Sequence, residues 1–108
     1  MALDPDLVWH SCEGAKFTLM KERLHFQASK AMCRSKGGKV AELLTLQELI
    51  CVNRLLQEAV ADGVRRVWVD VQRLYDDTCG VLVNTPTRKG MTKINCSDKA
   101  MSICKKNK

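Results

Sequence analysis

The chain has 108 residues, 28% of them charged and only 5% aromatic, with a formal net charge of +6 and six cysteines. That length is one domain, 1–108, with a modest core, and an even cysteine count well above ordinary usage indicates a disulfide framework and an extracellular compartment. No apolar run approaches the roughly 20 residues that span a bilayer. Zinc and redox motifs are missing too, since the closest cysteines are Cys96 and Cys104 and the only histidines are His10 and His25.

The start, "MALDPDLVWH", places Asp4 and Asp6 where a signal peptide needs an apolar core. Residues 1–8 are therefore expected to be a leader outside the fold, with Met1 an added initiator before a mature or excised extracellular domain. "QASKAMCRS", residues 27–35, predicts a short helix that Gly37-Gly38 ends, glycine suiting a left-handed C-terminal cap. The next helix is predicted over 46–61. Thr45 and Glu48 make a capping box, Leu46, Leu49, Ile50, Asn53, Leu56 and Val60 recur at helical spacing, and Asp62-Gly63 stops the run.

Beyond it the period falls to two. In "RVWVDVQR", Val67, Val69 and Val71 alternate with Trp68, Asp70 and Gln72, as in a strand with two different faces. "CGVLVNT" from Cys79 is a second strand. "AMSICKK" from Ala100 is a third, with Met101 and Ile103 on one face and Ser102 and Cys104 on the other. Helix, helix, then strands predicts an α+β fold with two helices packed on short antiparallel sheets.

The charge is unevenly placed. Residues 86–108 hold seven basic side chains against Asp98 alone, so the first 85 residues balance to zero. Arg88, Lys89 and Lys93 surround Gly90 in "TPTRKGMTK", and Arg65 and Arg66 with the "KKNK" tail extend the surface. Such a patch suits an acidic partner such as a sulfated glycan, an acidic protein or an anionic membrane; the plain alternative is a solvated face. Nucleic acid is not expected, because the basic end lacks interleaved aromatics and any recognition-helix motif. No Ser/His/Asp arrangement points to an enzyme, and a disulfide explains Cys12 more simply than a nucleophile beside His10. Asn95-Cys96-Ser97 is a glycosylation sequon with a cysteine in its middle. Six cysteines allow 15 pairings, which spacing alone leaves open.

Several of these stretches together resemble the C-type lectin-like domain. Phe26, seven residues before Cys33, with Gly37-Gly38 after it, matches that family's first helix. "KVAELLTLQE" is similar to its entry to the second helix, "WVDV" at Trp68 to its "WIGL" strand, and "CGVLV" with "NCSDKAMSICKK" to its paired terminal cysteines. The resemblance covers about residues 16–106. It implies that Cys33 closes onto Cys104 and Cys79 onto Cys96, and that Trp68 is core. Cys12 and Cys51 have no firm place in the family pattern; they are expected to pair with each other, the alternative being a Cys12 that is free or joined to another chain.

The resemblance also implies what is missing. Sugar-binding members hold calcium through a proline-containing triplet and a later Trp-Asn-Asp. Counted back from Cys96, that second position here is Met91-Thr92-Lys93, and only ten residues separate Trp68 from Cys79, too few for the loop that carries the first. Calcium wants six to eight oxygen ligands, and Asp76-Asp77 is the one acidic pair nearby. No metal and no cofactor are expected. The expectation is a compact, calcium-independent, secreted or cell-surface recognition module for a protein ligand, or else for a heparin-like glycan, with Arg88, Lys89, Lys93, Arg65 and Arg66 as its contact residues.

Overall fold

A computed structural model describes residues 8–12, 14–43, 45–58, 66–71, 77–85, 87 and 89–107. In chain order its elements are β1 (His10–Cys12), β2 (Ala15–Leu24), α1 (Phe26–Ser35), β3 (Lys39–Val40), α2 (Leu46–Glu58), β4 (Arg66–Trp68), β5 (Thr78–Asn84), β6 (Lys89–Asn95) and β7 (Ala100–Asn107). The expected α+β class, with two helices, is present. The expected antiparallel sheets are one mixed sheet in the order β1-β2-β7-β4-β5-β6, with β3 also on β7. β4 and β7 run parallel, Val67 opposite Met101. The other pairings are antiparallel.

β1, β2, β3 and β6 are not among the strands anticipated from the sequence, and β2 is the longest of them. Ala15, Phe17 and Leu19 do alternate with Lys16, Thr18 and Met20, but the charged run Lys21-Glu22-Arg23 blurs the pattern, and the register on β7 shifts between Met20 and Leu24. What makes it a strand is β7, which lies some eighty residues later and which no local signal announces.

Because successive side chains point to opposite faces, the sheet serves two cores. On one face α2 contributes Val52 and Leu56 to a cluster with Phe17, Val67, Leu82 and Ile103. On the other, α1 contributes Phe26 and Cys33 to a cluster with Trp68, Val81 and Cys104. Neighbours such as Val67 and Trp68, or Ile103 and Cys104, thus belong to different cores. Trp68 is fully buried; its indole N–H donates to the Leu24 carbonyl at 2.7 Å, and it meets Phe26 edge to face at 5.5 Å. Burying a side chain of that size stabilises by roughly 1.5–3 kcal/mol.

Local signals set the helix ends. His25 Nδ1 accepts the Ala28 N–H at 3.2 Å, capping α1. At its other end the Gly37 N–H donates to the Arg34 carbonyl and the Gly38 N–H to Cys33, a Schellman closure that needs the positive φ of 90° at Gly37. Thr45 Oγ1 accepts the Glu48 N–H at 3.1 Å at the start of α2. The buried face of α2 matches the expected stripe only in part: Leu56 is buried and Leu49 packs on the first core, but Leu46 and Ile50 are 69% and 43% exposed, and Glu48 and Val52 are buried instead. Val60 lies outside the described residues. Two tethers turn the helix that way, the Cys12–Cys51 disulfide and an ion pair from Glu48 to Lys105. Cys33–Cys104 and Cys79–Cys96 complete the three disulfides, so all three expected pairings are present.

Candidate binding surface

β6 is an outer strand of the sheet, paired with β5 alone among the described strands. Its residues alternate in role. Ile94 packs on the second core, while Met91 lies opposite Leu82 and Lys93 opposite Gly80, which sets both on the face that carries α2. Met91 is 53% exposed and Lys93 is exposed. Lys89 stands two positions before Met91, so backbone alternation gives it the same parity. The stretch is an apolar side chain set between basic positions on a strand anchored at one end by Cys79–Cys96.

The expected contact residues do not form one patch. Arg65, Arg88 and the side chain of Lys89 lie outside the described residues. Arg66 opens β4 opposite Val83, and Val83 packs with the second core, so Arg66 belongs to the face opposite Lys93. Its Nη2 donates to the Lys99 carbonyl at 3.2 Å. Lys105 leaves the basic surface altogether. It is buried against Glu48 at 2.6 Å, donates to the Glu42 carbonyl at 3.1 Å, and lies 5.8 Å from the Phe17 ring centroid. This pair floors a cleft of about 310 Å³ lined by Gly14, Ala15, Thr45, Gln47 and Asn107. Beside it Lys39 and Glu42 pair at 2.6 Å; the hydrogen bond raises the pKa of Lys39 and lowers that of Glu42.

A second basic surface joins Lys106 of the expected tail to Lys16, which went unread in the sequence. Lys16 and Lys106 stand directly opposite each other on β2 and β7, and Lys106 Nζ lies 4.3 Å over the ring of Trp9. Trp9 is half-buried against the second core. The alternation from Ala15 to Met20 puts Lys16 on the face of Thr18 and Met20, which are buried, and Lys16 itself is half-buried. The last residue of the expected leader, Val8, is tied to the sheet where its carbonyl accepts the Thr18 hydroxyl at 2.7 Å; residues 1–7 lie outside the described residues.

The described cysteines are all in disulfides, which leaves no thiolate nucleophile or ligand among them. Among the described residues no three His, Cys, Asp or Glu side chains gather as a metal site, and no helix is long and apolar enough to cross a membrane. Asn95 is exposed, its Oδ1 accepting both the N–H and the hydroxyl of Ser97.

No protein-family model and no curated protein sequence matches the chain. Solved structures do match in fold. Human lithostathine aligns at a TM-score of 0.80 and 15% identity over 93% of this chain and 88% of its own. EMS16, an antagonist of collagen receptor integrin alpha2beta1, aligns at 0.76 and 17% over 93% and 97%. The type II antifreeze protein of herring aligns at 0.74 and 19% over 97% and 99%.

Proposed function

We propose that this chain, whose fold is the C-type lectin-like fold, is an extracellular, non-enzymatic recognition module that binds a protein ligand without calcium. The observation that carries the reading is the β6 surface: an exposed Met91 beside exposed Lys93 on a strand held by a disulfide. An apolar side chain beside a cation on a rigid scaffold suits a protein contact, where a central anchor is desolvated and charges at the rim steer the approach. Three disulfides support an oxidising compartment. Met91-Thr92-Lys93, at the position where sugar-binding relatives carry Trp-Asn-Asp, supports independence from calcium. The shared fold with an integrin antagonist makes protein binding a natural use of this scaffold.

A second reading, an acidic or sulfated glycan as ligand, is favoured by Lys16 and Lys106 beside Trp9. That surface is three strands away from β6, roughly 15 Å at the usual strand spacing, and on the other face. The two are separable experimentally. Fluorescent tetramers of the domain would be tested for cell-surface staining with and without chelator, after trypsin, and after heparinase. Protease-sensitive, chelator-resistant staining reduced by Lys93→Glu is the expected result. Heparinase-sensitive staining reduced by Lys16→Glu/Lys106→Glu would favour the glycan.

A further inference from the structure

We infer that the partner docks on β6 as an extended acidic peptide that adds a strand to the sheet, an assignment that rests on the protein-recognition reading above. The geometry follows from two hydrogen bonds. The Cys96 N–H donates to the Asp77 carbonyl at 2.9 Å, one step beyond the Thr78–Asn95 pair, so Cys96–Asp77 is a hydrogen-bonded pair of the ladder. Such pairs alternate along antiparallel strands. Ile94, Thr92 and Gly90 therefore turn their peptide groups towards β5, and Asn95, Lys93, Met91 and Lys89 turn theirs away. The Val69 N–H donating to the Gly80 carbonyl at 3.0 Å agrees, since it makes the even-numbered residues of β5 serve β4 and the odd ones serve β6.

Among the described residues the outer edge thus offers the N–H and C=O groups of Lys89, Met91 and Lys93 and the N–H of Asn95, whose carbonyl already accepts the Asp98 N–H at 3.0 Å, a template for a further strand. The side chains select what pairs with it. A second copy pairing antiparallel about Met91 would set Lys93 against Lys89, and a parallel in-register copy would set each lysine against itself; like charges directly opposite oppose pairing. A strand placing a carboxylate opposite Lys93, an apolar side chain opposite Met91 and a carboxylate opposite Lys89 gains at all three positions. The recognised pattern is acidic–x–apolar–x–acidic, with main-chain hydrogen bonds giving affinity and the alternate side chains giving selection. A sulfated glycan matches the charge but has no peptide ladder to offer.

The test uses a fluorescein-labelled heptapeptide with glutamates two residues on either side of a valine and threonines elsewhere, titrated against the whole domain by anisotropy. Controls are the same peptide N-methylated at alternate amides, in both registers, and a version with lysines for glutamates. The expected result is binding of the first peptide, weakened about tenfold or more by N-methylation in one register but not the other, the scale of a lost main-chain hydrogen bond. The lysine peptide should not bind, and Lys93→Glu should reverse that preference. Equal binding of both N-methylated peptides, or no binding of any, would overturn strand addition. The tetramer staining separates this from the broader reading: protease-sensitive staining that excess peptide leaves unchanged removes the edge as the docking site and keeps protein recognition. Staining that the peptide blocks, and its N-methylated form does not, supports both.

Discussion

Lys105 Nζ and Glu48 Oε2 lie 2.6 Å apart with both side chains about 8% exposed, so the last strand and the second helix are joined through a nearly dry ion pair. Removing one partner leaves the other charge buried, at a cost of about 3–5 kcal/mol, whereas replacing both with apolar side chains of similar volume is close to neutral. Lys105→Met and Glu48→Leu should each lower the urea midpoint strongly, and the double variant should recover most of the loss. Additive losses would mean the pair is not coupled.

The Cys12–Cys51 bridge closes 39 residues. The chain-entropy relation gives about 4 kcal/mol for a loop of that length. Cys12→Ala/Cys51→Ala should lose stability on that scale in denaturant titration. The same change should turn α2, so near-ultraviolet dichroism from the aromatic side chains should shift as well.

Gly38 has no room for a methyl group. A Cβ there would sit 2.7 Å from the Lys105 carbonyl oxygen and 2.9 Å from the Trp9 ring. The first contact is backbone of β7 and cannot yield cheaply, so Gly38→Ala should cost about 1–3 kcal/mol by overpacking. Calorimetry would check it against Gly14→Ala, where a Cβ meets nothing within 4 Å.

Alternation along β6 is testable without any ligand. Amide exchange followed by NMR should find Thr92 and Ile94 protected and Met91 and Lys93 exchanging quickly, because only the first pair donates into β5. Uniform protection along β6 would mean that its outer edge is covered.

Glu42 and Lys39 form an exposed pair whose worth is at most a few tenths of a kcal/mol. Glu42 has a pKa held below the ordinary 4.5 by its hydrogen bond to Lys39. Its contribution is therefore complete at neutral pH and disappears as pH falls through that lowered value. The raised Lys39 pKa means the pair's contribution is lost again only in strong alkali, above 10.5. The stability gap between the parent chain and Glu42→Gln should be small at pH 7 and close to zero once the pH is well below the lowered Glu42 value.

What could be read in advance divides by range of interaction. The Gly37-Gly38 stop and the Thr45 cap are decided within a few residues, and the alternation at Val67 and Ile103 states its own parity. The pairing of Cys33 with Cys104 came from a family pattern rather than from any local rule. β2 was hidden because its pairing partner lies at the other end of the chain. Leu46 and Ile50 looked like core because helical spacing defines a stripe without saying how the stripe is turned, and the turning is done by Lys105 and Cys12. Arg66 and Lys93 looked like one surface because faces depend on register, where a single step of parity moves a side chain to the other side of the sheet.

β7, which holds β2, β3 and β4 together, is the last described strand in the order of synthesis. A growing chain can make α1, α2 and the Cys12–Cys51 bridge while its sheet still lacks a centre. Cys33 then waits through 71 residues of further translation for its partner. Until Cys104 clears the ribosome, that thiol is open to capture by Cys12, Cys51 or Cys79, and both apolar layers lie uncovered. The nascent domain should therefore depend heavily on chaperones and a disulfide isomerase, a need set by where its central strand falls along the chain.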